Sequence, residues 1–229
     1  MSGSPLPGVV AVSYPYPLVV FDLDGTLVDS AADIAEALNR TLEQLGVARV
    51  AESTVLGWIG DGVRRLVEQA LQAVGTPVDM DAVLPMFMVH YRDCLLRSPQ
   101  LFEGVREALA QLRARGVPLA ICTNKPAALV PLLLQHLGIA DAFALVLGGD
   151  SLPQRKPSGE PLRHIAAHFG LAVEACLMAG DSITDYRAAL DAGMPIALVR
   201  YGYPCGLDLH DNAAVAVIDD LRALPGLQG

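Results

Sequence analysis

The sequence predicts an α/β fold, a parallel sheet flanked by helices and interrupted after its first strand by an all-helical insertion. Three observations carry this. Short apolar runs recur at residues 18–21, 117–122, 143–147, 176–179, 196–199 and 215–218, the pattern of strands buried on both faces. Helical stretches separate most of these runs, and that alternation means parallel strands joined by crossovers. Between Ser30 and about Ser98 the strand pattern stops and only helical periodicity remains.

Taken in order, residues 1–17 hold Pro5, Pro7, Pro15 and Pro17 and lack both a basic region and a continuous apolar segment. They read as a loose leader and not as a signal peptide. The first strand, 18–21, runs into Asp22. In the insertion, Val63, Leu66, Val67, Ala70, Leu71 and Val74 follow the helical period, with Arg64, Arg65, Glu68 and Gln72 elsewhere around the axis. Leu84, Phe87, Met88, Tyr91 and Leu95 repeat the stripe. Beyond it, a helix is expected over 126–137, opening on Pro126 and stopping before Gly138, and another over 184–192 before Gly193. The expected division is an α/β core of 18–29 and 99–229 and a helical cap of 30–98.

Bulk properties narrow the function classes. The 229 residues carry a net charge of −9, and no basic run exceeds two residues, so a phosphate-tracking nucleic-acid binder is not expected. Hydrophobic residues make up 52% and the mean hydropathy is +0.40, but no run of about eighteen apolar residues is uninterrupted, so no membrane span is expected. The four cysteines, Cys94, Cys122, Cys176 and Cys205, show no C-x-x-C pair or zinc spacing. Three sit among apolar neighbours, which fits a reduced, cytoplasmic protein.

The chemistry-bearing residues fall at strand ends, where open parallel sheets place their ligands. Asp22 and Asp24 stand two apart after the first strand, so their carboxylates can leave on one face. Carboxylates that close repel, and a hard divalent ion such as magnesium relieves the conflict. A plain D-G turn is the alternative, less favoured after a buried strand. An EF-hand loop counted from Asp22 puts Leu27 where Gly is required and Asp33 where Glu is usual, so that reading fails. Thr123 and Asn124 follow the strand at 117–122, where a hydroxyl and backbone N–H groups can make a phosphate cradle, although taken alone such a pair is more often a helix cap. Lys156 lies in a loop and taken alone is a solvated charge. Asp181 and Asp185 follow the strand at 176–179, placed to complete a magnesium shell or merely to cap the next helix. His164 and His168 are four apart, but Leu162, Ile165 and Phe169 mark the buried face and leave both imidazoles on the surface.

In combination and order, F-D-L-D-G-T at 21–26, T-N-K-P at 123–126, Lys156-Pro157 and G-D-S-x-x-D at 180–185 resemble the haloacid dehalogenase superfamily. The long interval between Asp22 and Thr123 matches members with a helical cap inserted into a Rossmann-like parallel-sheet core. Within the superfamily the chain is most similar to bacterial phosphoglycolate phosphatases, through the segments 57–62, 123–126, 148–150 and 201–203, over roughly residues 18–225. One departure is Gly159, where relatives commonly carry a second proline after Lys156-Pro157.

The resemblance implies a magnesium-dependent phosphatase acting on a small phosphorylated metabolite, foremost 2-phosphoglycolate, as a monomer or homodimer. It implies Asp22 as nucleophile, Asp24 as general acid and base, and Thr123, Asn124 and Lys156 around the phosphoryl group. Magnesium would be held by Asp22, the main-chain carbonyl of Asp24 and Asp181, with Asp185 behind them. Gly60, Asp61 and Gly62, opening a cap helix with flexible backbone, and Arg64 in its first turn would set specificity; Arg64 reads equally as a solvated charge. A sugar-phosphate phosphatase or phosphomutase uses the same motifs. Schiff-base phosphonate chemistry does not fit, since residues 30–98 contain no lysine. A non-catalytic phospho-acceptor receiver would need neither Asp24 nor a cap.

Overall fold

Six parallel strands form the central sheet in the order β5-β4-β1-β6-β7-β8. A computed structural model describes residues 14–76, 79–210 and 213–228. At the centre, β1 (Val19–Phe21) is flanked by β4 (Leu119–Cys122) and β6 (Leu177–Gly180), with Val20 level with Ala120 on one side and Met178 on the other. Outside these lie β5 (Leu145–Leu147), β7 (Ile196–Val199) and β8 (Ala216–Ile218). The predicted strands therefore all form, each within a residue or two of the expected bounds.

Alternation along β1 splits the core. Val19 and Phe21 face one layer with α5 (Val105–Ala114), α6 (Val130–His136) and a terminal 3₁₀ helix at Leu221–Gly226. Leu18 and Val20 face the other, with α7 (Glu160–His168) and α8 (Ile183–Ala192). Both layers are dry, so each fully buried Leu or Phe contributes about 1.5–3 kcal/mol.

The insertion is helical throughout its regular elements: α1 (Ala31–Gln44), α2 (Glu52–Leu56), α3 (Val63–Ala73) and α4 (Met80–Cys94). It has its own apolar cluster, in which Ile34, Leu38 and Leu42 of α1 meet Val83, Phe87 and Tyr91 of α4. The α3 stripe is buried as expected at Leu66, Val67, Ala70 and Leu71. On α4 the buried line is Val83, Phe87, Tyr91 and Cys94, so it is turned by about one residue, leaving Leu84 and Met88 half-buried. Two short strands absent from the sequence reading close the insertion's neck. β2 (Val28–Asp29) pairs antiparallel with β3 (Gln100–Leu101), Val28 opposite Leu101.

Two boundaries differ from expectation. Residues 126–129 form a turn and α6 starts at Val130, because Pro131 has no N–H to give the Ala127 carbonyl and fits only the first turn of a helix; the Ala127 N–H donates to Asp150 Oδ1 at 2.7 Å. Of the expected leader, 1–13 lie outside the described residues, while Tyr16 is buried against the core and Tyr14 packs beside it. All four cysteines are free thiols, His164 and His168 are exposed, and no described helix is long and apolar enough to cross a membrane.

Candidate active site

At the carboxyl ends of β1, β4 and β6 the chain brings Asp22, Asp24, Thr123, Asn124, Lys156, Asp181 and Asp185 together, all but Asp24 buried. Asp22 continues the line of β1, its N–H donating to Ala179 O at 2.9 Å. Asp22, Asp181 and Asp185 each offer a carboxylate oxygen, and these atoms lie within 4.8 Å of one another. Lys156 reaches the cluster from its loop: Nζ donates to Asp185 Oδ1 at 2.6 Å and forms an ion pair with Asp22 Oδ1 at 2.8 Å. That oxygen of Asp22 has no aligned hydrogen-bond donor.

Each member has a local anchor. Asp181 Oδ1 accepts from Thr26 Oγ1 at 2.6 Å and Oδ2 from the Tyr203 N–H at 2.7 Å. Asp185 closes a capping box with Ser182 at the start of α8, its Oδ2 taking the Ser182 hydroxyl at 2.7 Å. Thr123 is fixed by its N–H to Leu147 O at 3.0 Å.

Three dry carboxylates against one ammonium leave the cluster short of positive charge. Burial, then the Asp185 charge, pushes the Asp22 carboxyl up to about 7, and Lys156 only partly offsets this. Asp181 is pushed up by burial and by Asp185 and Asp22. Burial would lower the Lys156 ammonium, but Asp185 and Asp22 outweigh it and hold it well above the usual lysine range. A hard cation with oxygen ligands is what this donor set fits.

Asp24 departs from the sequence expectation. Its side chain does not share the cluster with Asp22; it pairs with Lys125, Nζ standing 3.0 Å from Oδ1 and 3.2 Å from Oδ2. Ser30 Oγ donates to the same Oδ1 at 2.6 Å. The repelling pair read from spacing is resolved by geometry, since the chain turns at once after Asp22, Leu27 and Val28 donating back to Leu23 O. Lys125 was not singled out by sequence reasoning beyond its place in T-N-K-P. Its signal is chemical: it is the one cation among the described residues lining the cavity above the site.

That cavity measures about 40 Å³ and is lined from below by Asp22, Asp24, Thr123, Asn124 and Lys125. Ile34, Trp58, Ile59, Val63, Leu66 and Tyr91 of the helical insertion cover it, with Gly60 and Gly62. Two bonds tie the segment 60–62, expected to be a flexible opening of the helix, to the core. Asp61 Oδ1 accepts from Thr184 Oγ1 at 2.5 Å, and Asn124 Nδ2 donates to Gly60 O at 2.8 Å. The same Asn124 amide donates to Lys156 O at 2.8 Å, so its side chain ties two loops together. Arg64 lies outside the cavity: it is half-exposed and pairs with Asp81 at 3.1 Å.

Residues 19–199 match the family model of the haloacid dehalogenase-like hydrolases. The chain belongs to that family. Among its relatives, a phosphoglycolate phosphatase of Nitrosococcus oceani is 39% identical over 214 residues, covering 92% of this chain and 95% of the relative. A plasmid-borne phosphoglycolate phosphatase of Cupriavidus necator is 42% identical over 221 residues, 96% of each. In three dimensions, the crystal structure of a predicted phosphoglycolate phosphatase from Haemophilus somnus superposes with a TM-score of 0.86 at 32% identity, over 92% of this chain and 96% of that one. The α/β fold thus coincides with that of this solved relative.

Proposed function

We propose that the chain is a magnesium-dependent phosphatase whose preferred substrate is 2-phosphoglycolate, hydrolysed to glycolate and phosphate. The observation that carries this is the buried Asp22 carboxylate, at a strand end, in contact with Lys156 and facing a small covered cavity that also holds Asp24. The names of the relatives at 39–42% identity over nearly the whole chain support the substrate.

Asp22 attacks phosphorus; the P–O bond to the leaving group breaks and an aspartyl-phosphate forms. Asp24 gives its proton to the departing alkoxide, then takes one from the water that attacks the phosphorus, and the bond to Asp22 breaks. Lys156 and the Thr123 hydroxyl spread the charge of the transferring oxygens, with the Asn124 N–H as a third donor. Asp22, Asp181 and the Asp24 carbonyl would hold magnesium, with Asp185 behind, and the ion would supply charge neutralisation at the phosphoryl group. The helical cap of 30–98 shuts out water and selects the leaving group, and the protein works in the cytoplasm as a monomer or homodimer.

A phosphate-release screen with magnesium across 2-phosphoglycolate, sugar phosphates and nucleotides tests the reading. Phosphoglycolate is expected to give the highest kcat/KM. A sugar phosphate turned over faster assigns the chain to another branch of the family, and a stable phosphoprotein without turnover makes it a receiver.

A further inference from the structure

The cavity lining is apolar on the cap side and acidic at the base, with one ammonium between. Lys125 Nζ is buried in this seam. Besides Asp24 it donates to Tyr91 Oη of α4 at 2.5 Å, and it lies 4.7 Å from the centre of the Tyr91 ring. Tyr91, raised to about 12 chiefly by burial, stays a neutral phenol. Core and cap therefore meet at a buried lysine framed by an aromatic ring and a hydroxyl, beside the residue assigned to protonate the leaving group.

Phosphoryl recognition leaves this cation unused, because Lys156 and Thr123 already serve that group. Both Asp24 oxygens sit on Nζ, so the site as folded holds a carboxylate. A leaving group that carries a carboxylate one carbon from the reacting oxygen places that charge next to Asp24. We propose that Lys125, with the Tyr91 hydroxyl, is the subsite for the carboxylate of the substrate's leaving group, competing with Asp24 for the ammonium. The inference rests on the phosphatase reading and replaces Arg64, engaged with Asp81 outside the cavity, as the source of selectivity. A charged hydrogen bond that one ester makes and another cannot is a difference in affinity, which is what specificity requires.

The test compares 2-phosphoglycolate with ethyl phosphate, which shares the phosphoryl group and lacks the carboxylate. Binding is measured by calorimetry with magnesium in the Asp22→Asn chain, which cannot turn either ester over. Phosphoglycolate is expected to bind about ten- to a hundredfold more tightly than ethyl phosphate, the range of one charge-assisted hydrogen bond. Adding Lys125→Met is expected to abolish the preference, and adding Tyr91→Phe, which removes only the hydroxyl, to shrink it about three- to tenfold. A purely structural role for Lys125 would weaken both esters alike and leave their ratio unchanged. An unchanged ratio in either variant overturns the subsite, as does equal binding of the two esters before Lys125 or Tyr91 is changed. Phosphate release by the native chain is followed in parallel. Failure to hydrolyse either ester sinks the phosphatase reading and leaves the binding ratio to judge the subsite.

Discussion

Gly25 and Asp181 are so close that a methyl group on Gly25 would stand 2.2 Å from Asp181 Oδ2. Gly25 also has φ +94°, a region L side chains rarely adopt. Gly25→Ala must therefore move the carboxylate or strain the turn, at a cost of about 1–3 kcal/mol. We expect weaker magnesium binding by calorimetry and a loss of turnover larger than the loss of stability explains. Wild-type magnesium affinity in this variant would show that Asp181 is not a ligand.

Asp22→Asn removes the attacking oxygen and one charge from a crowded cluster. Turnover should vanish, while thermal stability without metal should rise because the remaining carboxylates repel less. More than a trace of phosphate release by pure, undeamidated variant rules out Asp22 as nucleophile. A lower melting temperature without metal contradicts the electrostatic account.

The raised carboxyl groups make metal-free stability depend on pH. With Asp22 near 7 in the folded chain against 3.8 ordinarily, the native state holds protons that the unfolded chain has released. Stability then falls as pH rises from about 4 to about 7, the sign linkage requires when the folded state binds more protons. Magnesium binds the deprotonated cluster, so the melting-temperature gap between metal-loaded and metal-free protein should widen over the same window. A metal-free Tm that climbs across it would refute this.

A proline at Gly159, two residues beyond Pro157, should harm this chain. The Gly159 N–H donates to Asp191 Oδ2 at 2.6 Å, and a Cβ there would meet Ala192 N at 2.4 Å. Gly159→Pro loses a bond to a charged acceptor and clashes with the end of α8, so urea denaturation should show at least about 1.5–3 kcal/mol lost. A neutral result would mean that α8 shifts freely.

The strands, their parallel direction and the residues at their ends were legible because burial on both faces writes itself into continuous apolar runs. Asp22, Thr123, Asp181 and Asp185 could be picked out by position at strand ends, before any contact was known, and Lys156 only by its place in the motif order. What could not be read were pairings between distant residues of ordinary type. Lys125 and Asp24 are 101 positions apart, and no periodicity reports that they meet. Arg64 illustrates the converse: a helix's first turn was visible, but the direction of its side chain depended on Asp81 across the insertion. The strands β2 and β3, two residues each, are too short to leave a pattern.

Those two short strands have a consequence for how the family can vary. Because Val28 and Asp29 are zipped to Leu101 and Gln100, the core meets the intervening chain as a loop whose ends are already joined. Lengthening such a loop costs only about 0.6 kcal/mol per doubling. Everything beyond the neck can therefore be enlarged, trimmed or exchanged with little thermodynamic penalty to the sheet that carries Asp22.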